Sequence, residues 1–134
     1  MNPISRLGSL LEEMQNLPDI KNQLTTSALF DAFKKQLAKD FEQSNFPFDF
    51  VVALEPNYSS IHEKIAGELQ HNEKRTGFTL MSLLYRIDIS EAQLKKYLSE
   101  HQNENHFNVI AELIIKRVLQ KVVTKQYYRN NENL

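Results

Sequence analysis

Between Asn105 and Arg129 the apolar residues fall on two neighbouring rows taken in steps of four. One row is Ile110, Ile114, Val118 and Val122; the other is Ala111, Ile115, Leu119, Val123 and Tyr127. Residues four apart stack on one side of an α-helix, so the two rows form a single broad apolar face. The pattern predicts one long helix, capped by Asn105 and built into the middle of a helical core. A third row beside it, Arg117, Lys121, Lys125 and Arg129, is wholly basic.

Further helices follow from the same spacing. Ile4, Leu7, Leu10, Leu11, Met14 and Leu17 recur at helical intervals, with Pro18 ending or kinking the run. Leu29, Phe30, Phe33, Leu37 and Phe41 make a second stripe, and Thr26 or Ser27 stands where a cap is needed. Glu55-Pro56-Asn57 is a turn, after which Ser60 and Glu63 are spaced as a capping box. The helix they open carries a thin line of Ile61, Ile65 and Leu69, and Gly77 suits its stop. Leu80 to Ile87 reads as a helix, although Tyr85 to Ile89 alternates as a strand would. Ser90 and Gln93 are spaced as a second capping box, with Ile89 and Leu94 at the two positions of a hydrophobic staple. A helix therefore starts at Ser90, and His101 to Asn105 is a polar loop.

The stretch 46–54 has a different period. Phe46, Phe48, Phe50, Val52 and Leu54 alternate with Pro47, Asp49, Val51 and Ala53, as in a strand. A strand needs a neighbour, no second clear one exists, and Pro47 confines any strand to an edge. Two readings stand. The favoured one is an extended Phe-rich segment lying across helices; the sharper one is a short strand pairing with its copy in a dimer.

Helix, short turn and capped helix over 78–100 resemble a helix-turn-helix, with Leu83, Ile87, Ile89, Leu94 and Tyr97 at its buried positions. Two residues depart from that motif: Leu84 is bulky where a small residue is usual, and Asp88 stands where glycine is usual. The second helix sets Glu91 and Glu100 against Lys95 and Lys96, a balance of zero. Nucleic-acid binding draws much of its affinity from neutralised phosphates, so an ordinary helical hairpin is the stronger reading.

The chain has 134 residues, the size of one domain. Eight Phe and five Tyr within a hydrophobic fraction of 41% are enough for a core. A formal net charge of −1 gives no global attraction to nucleic acid or anionic membrane, so any such attraction must be local. Without cysteine there are no disulfides, thiolate metal sites or cysteine nucleophiles, and a cytoplasmic location fits. The first eleven residues lack the pattern of a secretory signal, and no apolar run is long enough to span a membrane.

Chemistry-bearing patterns are thin. His62-Glu63 begins like a zinc-protease helix, but Ala66 stands where the second histidine must be. Glu68 and His71 are spaced like half of a di-iron site, and no second such pair exists. Like charges four apart repel by about 0.2–0.5 kcal/mol per pair, so the basic row needs a reason. Internal pairing or a solvated face at the negative end of the helix is the favoured reason. A strip facing an acidic partner, RNA or lipid is the alternative.

These patterns give an all-α fold over 1–134, one bundle of five to six helices plus the segment 46–54. The expected function is non-enzymatic, through protein–protein interaction, with a homodimer first among the partners. Nucleic-acid binding, through the helix-turn-helix region or the basic row, is the alternative. No catalytic residue, cofactor or metal is assigned. Arg117, Lys121, Lys125 and Arg129 are the candidate partner-binding residues.

Overall fold

The computed structural model describes residues 17–72 and 77–132, with side chains over 21–72 and 80–129. Among them are six α-helices: α1 (Leu17–Thr25), α2 (Ser27–Gln43), α3 (Tyr58–His71), α4 (Gly77–Arg86), α5 (Glu91–Glu100) and α6 (His106–Glu132). A 3-10 helix, Asp49–Ala53, lies between α2 and α3, and no strand occurs among the described residues. The fold is an all-α bundle. The helical run expected over 4–14 lies outside the described residues, and Pro18 falls within α1.

The last helix is the pillar its pattern predicts. α6 packs against α2, α3 and α5. Ile114, Ile115, Val118 and Leu119 are completely buried, and Val109 and Leu113 add a third buried row to the expected two. Continued in steps of four, that third row becomes Arg117 and Lys121, so its basic part extends a buried strip. Phe33, Leu37 and Phe41 of α2 and Ile61 and Ile65 of α3 share this core without exposure. Truncating any of these side chains to alanine leaves a cavity, at about 2–5 kcal/mol each.

Residues 46–54 are neither an extended segment nor a strand. Phe46, Val51 and Leu54 are buried, while Phe48 is partly exposed and Val52 lies 82% exposed. The alternation in the letters is thus broken by a period near three, that of a 3-10 helix. Asn45, at φ 61°, starts the departure by ending α2 in the left-handed region. Phe46 N–H donates to Phe41 O at 2.9 Å and Asn45 N–H to Glu42 O at 3.1 Å, the two bonds of a Schellman stop. Phe46 then folds back edge-on to Phe41, ring centroids 5.5 Å apart.

Two expected helix ends move, and one expected cap makes no bond. The cap of α3 is Asn57, whose side chain accepts from Ser60 N–H at 3.1 Å, so Ser60 sits inside the first turn. α3 ends at Asn72, which closes back on Glu68 O, and Gly77 lies in α4 instead of ending α3. Thr26 holds the cap position of α2 but makes no side-chain cap bond. The other caps are where the spacing puts them. Ser90 Oγ accepts from Gln93 N–H and Gln93 Oε1 from Ser90 N–H, a complete capping box. Asn105 Oδ1 accepts from Phe107 N–H at the start of α6.

Candidate binding surface

α2 and α6 run antiparallel, since Gln36 meets Lys125 and Asp40 meets Lys121. Lys125 Nζ donates to Gln36 Oε1 at 2.8 Å, and Lys121 Nζ to Asp40 Oδ1 at 3.3 Å. Gln36 Nε2 also donates to Asp40 Oδ1, at 3.0 Å, which ties the two levels together. By the same register Ser44 falls opposite Arg117, and Ala32 opposite Arg129. Arg117 instead reaches Asp88 O at 3.2 Å and Gln120 Oε1 at 3.1 Å. Asp40 Oδ2, Ser44 Oγ and Arg117 Nε are buried with no hydrogen bond among the described residues. The middle of the basic row is therefore a polar seam between two helices. Its repulsion is offset by acceptors that α2 supplies.

At the Ala32–Arg129 end the seam opens into a groove of about 260 Å³. Ala32 and Val122 line its floor, and Lys35, Lys39, Lys125 and Arg129 surround it, with no acidic residue among the described residues of the lining. The pattern along the chain singled out two of these four cations and passed over Lys35 and Lys39. Their signal was present as two lysines four apart on the polar side of α2, but only the helix register brings them opposite Lys125. A second hollow, of about 280 Å³, lies between Arg117, Lys121 and the turn at Ile87 and Asp88.

A separate polar cluster joins α3, α5 and α6. Lys116 Nζ donates to Tyr97 Oη at 2.7 Å and pairs with Glu112 at 3.2 Å. Tyr97 stacks on His101, centroids 4.8 Å apart, and Tyr58 stacks on His62. Burial pushes the Tyr58 phenol well above its usual range, with Glu112 and Tyr97 adding to the rise. Burial raises Tyr97 too; Lys116 opposes that rise and Glu112 supports it. Burial disfavours the Lys116 ammonium, yet Tyr97 and Glu112 hold its pKa above the ordinary value. Two phenols kept protonated and an ammonium kept charged make a locked structural network rather than a poised base.

α4 and α5 form the helical hairpin. Asp88 lies at φ 66° in the turn, the left-handed conformation for which glycine is usual. Ile89 N–H donates to Leu84 O and Asp88 N–H to Tyr85 O, a second Schellman stop, and both Leu84 and Ile89 are buried. Bulky Leu84 is thus the apolar partner of the stop. The outer side of α5 carries Glu91 and Lys95, paired at 3.8 Å. On α4, Met81 and Tyr85 stand one turn apart and are 45% and 85% exposed, while Leu83, Leu84 and Ile87 are buried.

Among the described residues no three His, Asp or Glu side chains converge as a metal site. His62 Nε2 contacts Asn108 O at 2.7 Å, tying α3 to the start of α6. Glu68 lies beside Asn72, and His71 is exposed. No helix among these residues is long and apolar enough to cross a membrane. No family model, curated protein or solved structure matches the chain.

Proposed function

We propose that this chain is a non-enzymatic helical protein that works by binding another protein, first of all a second copy of itself, in the cytoplasm. One observation carries the reading: α4 presents Met81 and Tyr85 to solvent on adjacent turns, with Tyr85 85% exposed. A large aromatic held out on a firmly seated helix is a common anchor of protein interfaces. A cysteine-free chain suits a reducing compartment.

Sedimentation velocity across micromolar concentrations tests self-association. A concentration-dependent dimer that Tyr85→Ala and Met81→Ala abolish supports this surface. A monomer throughout ends the self-association part, and a dimer indifferent to both changes moves the interface elsewhere. The nucleic-acid alternative draws on the cations gathered around the α2–α6 groove. It requires salt-dependent association, and no binding to DNA or RNA at low salt ends it.

A further inference from the structure

The groove between α2 and α6 has a chemistry that neither helix has alone. Lys35 and Lys39 are exposed and make no ion pair with any described residue. Acidic Asp31 and Glu42 lie within a turn of them on the same helix and do not pair with them. Lys125 faces them from α6, its ammonium held toward the groove by Gln36. In a chain whose positive and negative charges nearly cancel, the described residues that line this one hollow include four cations and no acid. Between the cations the floor is apolar, formed by Ala32 and Val122.

We infer that this groove binds a short acidic segment of a protein partner, with one apolar side chain on the floor and carboxylates on either side. The proposal rests on the reading of the chain as a protein-binding module and names the chemistry of the partner at a second surface. The complementary charge is negative, because Lys35, Lys39 and Lys125 lie together with nothing acidic among the described residues that line the groove. The apolar floor decides between kinds of anion. A phosphodiester backbone offers charge but no apolar group to cover Ala32 and Val122. Single-stranded nucleic acid gains its apolar contact by stacking on aromatic side chains, and none of the described residues that line the groove is aromatic. From residue 32 to residue 39 the helix rises about 10 Å, the length of about three residues of extended peptide. The occupant is therefore a few residues of extended chain rather than a docked helix.

The test is fluorescence anisotropy with the full chain and a labelled peptide of glutamates around one central leucine. A single-stranded oligonucleotide serves as the competing anion. The expected result is peptide binding that weakens about tenfold, equivalent to about 1.4 kcal/mol, in the Lys35→Gln/Lys39→Gln double variant. Replacing the central leucine by serine weakens it too, and Ala32→Glu, which places a carboxylate on the floor, abolishes it. Circular dichroism confirms that each variant is folded; the two lysine positions are exposed, so their exchange leaves the core intact. Absence of peptide binding, or equal binding by the double variant, overturns the proposal. Lysine-dependent binding of the oligonucleotide without the peptide overturns it in favour of nucleic acid. Sedimentation of the same variants reports self-association through α4 separately, so a failed dimer with a bound peptide leaves the groove standing.

Discussion

Asp40 and Lys121 meet across the antiparallel α2–α6 pair at 3.3 Å, the carboxylate side chain 2% exposed and the lysine side chain 27% exposed. The pair is therefore lopsided. Without Asp40, the ammonium can turn to water. Without Lys121, the carboxylate stays sealed with Gln36 as its remaining donor.

That asymmetry sets the first prediction. Lys121→Met should cost about 3–5 kcal/mol, the range for stranding one member of a buried pair. Asp40→Asn should cost only about 1 kcal/mol, near the value of one hydrogen bond. Asp40→Leu with Lys121→Met should recover most of the loss, since a buried ion pair often exchanges for apolar packing at little net change. Urea titrations of the three variants decide it, and equal losses for the two single changes would contradict the lopsided burial.

Alkaline pH should unfold the protein through the Tyr58–Tyr97–Lys116 cluster. All three groups have pKa values raised in the folded chain, so the fold holds their protons more tightly than the unfolded chain does. Their contribution is complete below the unfolded values, near about 10, and is lost as pH rises through the folded values. Denaturant titrations should show stability falling above about pH 10. Tyr58→Phe with Tyr97→Phe should make that fall shallower, and an unchanged slope would place its origin elsewhere.

Gly67 lies exposed inside α3, and a Cβ added there would meet nothing within 4 Å. Gly67→Ala should therefore stabilise the protein by about 0.5–1 kcal/mol, because alanine loses less backbone freedom in a helix. A higher melting temperature with unchanged sedimentation is the expected readout.

The turn between α4 and α5 supplies a graded pair. Ser90→Ala should cost about 1 kcal/mol by stripping the cap from Gln93 N–H. Ile89→Ala should cost about 2–5 kcal/mol, because Ile89 is buried against the Schellman stop. Asp88→Gly should relieve the positive φ and be neutral or mildly stabilising. If Ser90→Ala and Ile89→Ala leave stability intact but remove binding, this turn is a recognition site instead of a joint.

The long helix and the Ser90 capping box were legible because each is written within one turn or one row of residues. The start of α3 was not, because Asn57 and Ser60 both satisfy the spacing of a cap and only the turn after Pro56 chooses between them. The segment 46–54 misled because phenylalanines at every second position mimic a strand, while Asn45 supplies the left-handed residue expected of glycine. Lys35 and Lys39 were legible as lysines but not as a site. Their meaning depends on pairing residue 36 with residue 125, which no local pattern encodes.

That distance in the chain shapes how the molecule comes to fold. The seam joins residues 81 and 89 positions apart, and α6 is the last described element to be made. Before α6 is made, the part of the α2 and α3 faces that it covers stays open to water. The core is therefore completed late, by non-local closure, which slows folding and exposes the nascent chain to aggregation and to chaperones. For the same reason, shortening α6 within Val118–Val122 should trap the earlier helices as a sticky intermediate rather than yield a smaller stable bundle.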